Sequence, residues 1–406
     1  MCQFIILCSL CLIVCELFGS RLTAHSSWLI AHGSQLKARS SQLKARSSRL
    51  KAYRLIFPCL VLFTLVSCKK PEFKATPYEI QIPRYFPTQL NIPADNPMTV
   101  EGVALGKKLF YDGHVCGYTG SDSAQMMCCA TCHNPRHGFD IGTDNPRFPG
   151  GQPVGLSGQP THHVPLPLVN LVFNSNGYLW NGAANSLEDI VLATFTDPTE
   201  MNSSYSKVVS AVQANSSYPP MFEKAFGTPE VTIDRIAKAI AQYVRTLISA
   251  NSKFDKYLQG RVQLTSQELN GYVLFTTEEG ADCFHCHGSG GTPLFTTNLF
   301  YNNALDDVFD DPQDRFSVTG NVMDHGAYKA PTLRNIVVSA PYMRDGRFKT
   351  LDEVLEFYNT GQLNSPYVSP LMHHVNDGGV LLTPSQIADL KAFLETLTDE
   401  ELTVDN

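Results

Sequence analysis

The chain has 406 residues, 43% hydrophobic and 17% charged, with a net charge of −7; that length allows two ordinary domains, each with its own core. Residues 1–67 carry eight Lys/Arg against one acid, Glu16, for +7, so the remainder carries −14. A body this acidic excludes a general nucleic-acid binder, and its charge either steers a basic protein partner at low salt or is simply a solvated face.

In chain order, the first feature is a near-perfect repeat. Ser34-Gln-Leu-Lys-Ala-Arg-Ser40 recurs as Ser41 to Ser47 and again as Ser48-Arg-Leu-Lys-Ala-Tyr-Arg54. So short a repeat upstream of a complete export signal is not a fold, and the reading takes it as translated upstream DNA with the true start near Leu50. Residues 51–68 run from a basic stretch through Leu55–Thr64 to Leu65-Val66-Ser67-Cys68. This resembles a bacterial lipoprotein signal with Cys68 as the lipidated residue; an ordinary cleaved signal or a retained anchor are the alternatives. Each puts the mature chain outside the cytoplasm, in the periplasm. Residues 1–67 are therefore set aside as leader and signal peptide.

Cys116 and Cys128 precede the first of two Cys-x-x-Cys-His motifs and, in an oxidising compartment, are expected to pair as a disulfide. Residues 141–167 and 288–330 are Gly/Pro/Asn-rich connections. Ile233, Ile236, Ala237, Ile240, Ala241, Val244 and Leu247 lie at helical spacing, predicting a helix over 232–249 entered through Thr232. A boundary is expected near 250–264. Thr265-Ser-Gln-Glu268 is a capping-box pattern that opens a second helix. Thr383-Pro384-Ser385-Gln386 opens the last, with Pro at its first position. The expectation is a mainly α chain whose long loops wrap a cofactor.

That cofactor is read from Cys129-Ala130-Thr131-Cys132-His133 and Cys283-Phe284-His285-Cys286-His287. Two thiols at this spacing reach both vinyl groups of one porphyrin, and the adjacent imidazole supplies an iron ligand. Closed zinc sites need four ligands and each motif offers three. Two covalently bound haem c groups follow, with His133 and His287 on iron.

Further segments carry a family resemblance across nearly the whole mature chain. Leu105-Gly-Lys-Lys-Leu-Phe-Tyr-Asp112, Cys132-His-Asn-Pro135, Trp180-Asn-Gly182, Asp197-Pro-Thr-Glu-Met201, Ala330-Pro-Thr-Leu-Arg-Asn335 and Ala340-Pro-Tyr-Met-Arg-Asp-Gly346 resemble the bacterial di-haem cytochrome c peroxidase and MauG superfamily. The resemblance implies two cytochrome c-like haem domains: a peroxidatic one over residues 68–255 and an electron-transfer one over 256–406. It implies hydrogen peroxide as substrate, Glu200 as the acid/base group and Trp180 as an electron relay between haems. It places Tyr358 as distal ligand of the second haem, as in MauG, where cytochrome-oxidising members place Met; Met343 or Met323 is the alternative. It also implies a calcium ion on the backbone carbonyls of Ser339 and Pro341, although the family's asparagine partner is not evident.

Three positions depart from the family pattern. Residue 344 is Arg instead of His, Ile190 stands in place of a distal-pocket glutamine, and Leu156 is nearest to the distal histidine that blocks the first haem in many members. His162 and His163 are close by but read as a solvent-facing loop pair. The last departure implies an open first haem. The expected activity is peroxide reduction with electrons from a cytochrome or another periplasmic protein. The alternatives are MauG-like oxidation of a partner's side chains, favoured by Tyr358, and a non-enzymatic di-haem electron carrier.

Overall fold

The computed structural model describes residues 73–403 apart from 290 and 292. The repeat, the signal and Cys68 lie outside the described residues. The first half opens with helix α1 (Val100–Phe110), where Thr99 accepts a hydrogen bond from Gly102 N at the N-terminus. It continues through α2 (Cys129–Cys132), α3 (Leu187–Thr196), α4 (Tyr205–Ala214), α5 (Tyr218–Phe226) and α6 (Ile233–Val244). Leu105, Leu109, Phe110, Phe195, Phe222, Ile236 and Ile240 are its buried centre. Gly106 lets α1 lie directly on α6, since a Cβ there would fall 1.8 Å from the Ala239 carbonyl oxygen.

The second half holds α7 (Lys253–Leu258), α8 (Ser266–Phe275), α9 (Phe284–His287), α10 (Phe316–Thr319), α11 (Leu351–Thr360) and α12 (Pro384–Glu395). Its core is separate and strongly aromatic, built on Phe254, Phe275, Phe295 and Phe393. Phe254 meets Phe393 edge-on with ring centres 5.3 Å apart, an arrangement that adds to simple area burial. Gly271 does for α8 and α12 what Gly106 does for α1 and α6: a Cβ there would sit 1.9 Å from Asp389 O. Regular β-structure among the described residues is one antiparallel pair, β1 (Phe300–Tyr301) and β2 (Tyr328–Lys329).

The two halves repeat one another in detail. Asn170 and Asn335 both adopt φ 62°, and each opens a 3-10 turn. Each also accepts a backbone N–H on its side-chain oxygen, from Ser249 N at 3.1 Å and from Asp399 N at 2.8 Å. Tyr178-Leu-Trp-Asn-Gly182 and Tyr342-Met-Arg-Asp-Gly346 then form matching loops closed by the bridges Tyr178↔Ala184 and Tyr342↔Phe348. Both loops turn through positive φ at Leu179 and Met343 and at Gly182 and Gly346. Ser186 and Thr350 next cap α3 and α11. The offset that carries Tyr178 to Tyr342 and Ser186 to Thr350 also carries Thr194 to Tyr358.

The capping boxes at Thr265–Glu268 and Thr383–Gln386 form as the sequence indicates. Helix α6 stops at Val244, short of the predicted 249. Thr246 N and Leu247 N bond back to Tyr243 O and Val244 O, which tightens the final turn. Leu247 O then accepts from Asn170 N, a bond that ties this turn to the first half's loop. Cys116 and Cys128 are free thiols, contrary to the expected disulfide. Cys116 Sγ donates to Gly113 O at 3.2 Å, while Cys128 caps α2 and lies 3.5 Å from Thr131 Oγ1.

Candidate functional site

The first motif begins where Cys128 N donates to Thr131 Oγ1 (3.0 Å), folding residues 129–132 into a single helical turn. The chain then leaves helical geometry at His133 and returns through the Asn134↔Asp140 bridge, with Phe139 at φ 63°. This loop sets Phe139 O 3.0 Å from His133 Nδ1. A carbonyl only accepts, so Nδ1 carries the proton and Nε2 keeps its lone pair for a metal. Burial also holds the His133 pKa down to about 4, so the ring is neutral.

The second motif repeats the arrangement. His287 Nδ1 meets Pro331 O at 3.1 Å, and burial again brings its pKa to about 4. Burial pushes the Cys132, Cys283 and Cys286 thiols up to about 12 and Cys129 higher still. Each motif offers two thiols and one imidazole nitrogen, one donor short of a closed zinc site and the set that attaches haem c. The donor set therefore fits haem. Around Cys283, Cys286 and His287 lies a largely apolar cavity, walled by Leu351, Leu355 and Leu390 among others.

Tyr358 and Met343 both line this cavity, as do Met372 and His373. The Asn303 amide joins the first two, donating to the Tyr358 hydroxyl oxygen at 3.0 Å and lying 3.8 Å from the Met343 sulfur. Burial raises the Tyr358 phenol, against which the Asn303 bond works. Met323 is 52% exposed and does not line the cavity, which removes it as a ligand candidate. Ser339 and Pro341 stand in the cavity wall. Asn303, Met372 and His373 escaped sequence reasoning because each lies in a loop without a motif.

Glu200 lies close enough to Cys129 and Cys132 for its charge to raise both thiols. Burial lifts its carboxyl above the ordinary range; a hydrogen bond with Thr194 opposes this and the charge of Asp197 adds to it. Leu156 N donates to Glu200 O (2.8 Å), and Gly155 approaches so closely that a Cβ would lie 2.3 Å from the Thr199 carbonyl carbon. Leu156 and Ile190 pack against the first core.

Trp180 lines the second cavity. Its indole Nε1 donates to Val164 O at 2.8 Å, and its own carbonyl accepts from Lys329 N at 2.7 Å. Asp140, in the first motif's loop, lines the same cavity, and burial raises its carboxyl well above the usual range. His137 of that loop bonds Val338 O through Nδ1 (2.7 Å), so the first motif's loop touches the segment carrying Ser339 and Pro341. His162 and His163 are not a free solvent-facing pair: both bind the Asp311 carboxylate, and His163 is only 10% exposed.

Two half-enclosed imidazoles, each with its Nδ1–H on a carbonyl and each beside a pair of cysteines, define a c-type di-haem cytochrome. The chain belongs to the di-haem cytochrome c peroxidase family. The family's sequence profile matches residues 100–263. Methylamine utilization protein MauG of Methylorubrum extorquens is 33% identical over 316 residues, 77% of this chain and 83% of the relative. Cytochrome c551 peroxidase of Nitrosomonas europaea is 32% identical over 76% of this chain and 84% of the relative. The crystal structure of a MauG-like protein associated with microbial copper homeostasis superposes with a TM-score of 0.70 at 31% identity, covering 80% of this chain and 97% of that one. The mainly helical fold, the haem c groups and the peroxidase-type oxidoreductase reading all hold.

Proposed function

We propose that hydrogen peroxide is reduced at the His133 centre with Glu200 as acid/base, and that electrons arrive from the His287 centre by way of Trp180. Bound haem supplies the iron that takes peroxide and the electrons that split it. Glu200 takes the proton from the near peroxide oxygen and hands it to the far one, which leaves as water. Its raised pKa suits a group that must carry that proton. The supporting observation is the internal repeat. Thr194, the hydrogen-bond partner of Glu200, occupies in the first half the helix position that Tyr358, which lines the His287 cavity, holds in the second. Leu156, whose backbone N–H bonds the Glu200 carbonyl, offers no side-chain ligand to iron.

This reading divides the mature chain into haem domains at 68–255 and 256–406, a division supported by the two separate cores and their matching loops. It places the protein in the periplasm, tethered through lipid on Cys68, with calcium on the Ser339 and Pro341 carbonyls. Glu200→Gln keeps the shape and removes the acid. Peroxide turnover should fall 10²–10⁴-fold with both haems still attached; unchanged turnover would reject Glu200.

Tyr358 supports a second reading, MauG-like oxidation of a partner's side chains. A phenolate is a hard anionic ligand that lowers a haem potential relative to Met, making the second centre a poorer relay from a cytochrome. Turnover with reduced cytochrome c and peroxide separates the two: rapid oxidation favours the cytochrome as donor, and inertness toward it favours the partner protein.

A further inference from the structure

We propose that His162, His163 and Asp311 form a binding site for a divalent first-row transition ion, apart from both haem centres, which pins the two segments that anchor Trp180. His162 Nε2 lies 2.6 Å from Asp311 Oδ1 and His163 Nε2 lies 2.8 Å from Oδ2. All three donor groups fall within 4.8 Å of one another. Two imidazoles and one carboxylate suit zinc, copper or nickel; calcium takes six to eight oxygens. An imidazole with its proton on Nδ1 offers the Nε2 lone pair to an ion, and in both rings Nε2 is the nitrogen that faces Asp311.

The carboxylate is held as a metal ligand should be. Gln313 N donates to Oδ1 at 2.8 Å, while the Tyr328 hydroxyl (2.5 Å) and Arg344 Nε (3.3 Å) bind Oδ2. Such outer contacts fix a ligand's direction. The cation among them, Arg344, is balanced by Asp306 at 2.5 Å, so it does not cancel the charge of Asp311 alone. His162, 38% exposed, offers the way in, whereas His163 is mostly enclosed.

The location supplies a role. The histidines belong to one long loop and Asp311 to the other. Val164, next to His163, takes the Trp180 indole N–H, and Lys329, next to Tyr328, holds the Trp180 carbonyl. An ion here ties the two loops together one residue from the Val164 anchor and, through the Tyr328–Asp311 bond, within reach of the Lys329 anchor. The Asp282–His285–His373 cluster also gathers three donors, but it abuts Cys283 and belongs to the second haem site.

The test uses the haem-loaded mature protein in equilibrium dialysis against zinc chloride, with zinc and iron counted by mass spectrometry. The expected result is one tightly held zinc per two irons, at least tenfold weaker in His162→Ala and in Asp311→Asn and unchanged in His373→Ala. Excess calcium should not displace it. His162 is exposed enough that its removal leaves folding intact, which the haem absorbance spectrum checks. Thermal midpoints give an independent reading: zinc should raise that of wild type and not that of His162→Ala. Absence of tight zinc in wild type, retention by His162→Ala and Asp311→Asn, or loss in His373→Ala would each overturn the site.

Discussion

The Arg334–Asp255 pair invites a quantitative test because it is buried and lies close in sequence to the carbonyl that orients His287. Their side chains are 0% and 4% exposed. Arg334 Nη1 and Nη2 reach the two carboxylate oxygens at 2.9 and 2.6 Å, and Nε donates to Pro293 O at 2.6 Å. Three residues before Arg334 lies Pro331, whose carbonyl orients His287. Arg334→Met keeps an apolar stem but removes the guanidinium, which lies 5.0 and 5.9 Å from the Phe86 and Phe295 ring centres, and strands the carboxylate in the core. Breaking a buried pair from one side costs about 3–5 kcal/mol, a large share of the 5–15 kcal/mol (roughly) that holds a typical protein together. Adding Asp255→Asn removes the stranded charge, so the double variant should recover much of that loss. Burial raises the Asp255 carboxyl, but Arg334 outweighs it and the net shift is downward. The pair's contribution is therefore complete above the unfolded pKa of about 3.9 and fades as pH falls through the lower folded value. Urea unfolding followed by circular dichroism, at pH 7 and at successively lower pH, measures all of this. A loss under about 1 kcal/mol for Arg334→Met, or simple addition of the two single losses, would refute the reasoning.

Gly271→Ala forces a Cβ into Asp389 O, so α8 and α12 must separate; a loss of about 1–3 kcal/mol or more is expected from the same unfolding assay. Glu188→Gln breaks the bidentate contact with Arg245, which is 1% exposed, at 2.8 Å on each arm, and should cost about 3–5 kcal/mol at pH 7. Because the Glu188 carboxyl is held below its ordinary value, that gap should close as pH falls below about 4.3. Tyr358→Met should raise the reduction potential of the second centre, read by spectroelectrochemistry. An unmoved potential would show that the phenol only packs and leave Met343, beside the same Asn303, as ligand.

What could be read in the sequence followed from local rules. The thiol spacing gives the haem attachment, and the capping boxes at Thr265 and Thr383 fix helix starts through bonds only three residues apart. What escaped depends on distant partners. Helix α6 ends at Val244 in a tightened turn whose Leu247 O accepts from Asn170 N, a contact across 77 residues that periodicity cannot register. His162 and His163 read as a loop pair because Asp311 lies in a different loop. The internal repeat was present as Tyr-Leu-Trp-Asn-Gly beside Tyr-Met-Arg-Asp-Gly, yet its use was structural: only the shared left-handed turns show that Thr194 and Tyr358 are equivalent. The expected disulfide is a different case: Cys116 and Cys128 are free thiols, each with an oxygen partner three residues away.

The indole of Trp180 gives its N–H to the Val164 carbonyl, an oxygen that accepts a hydrogen bond but is far too weakly basic to take the proton. An electron withdrawn from this ring would leave the hydrogen in place, so the indole would pass through a cationic form. Transfer through it should then be indifferent to heavy water and to buffer pH, unlike the Glu200 chemistry at the first centre. Isotope substitution thus separates the two halves of the cycle.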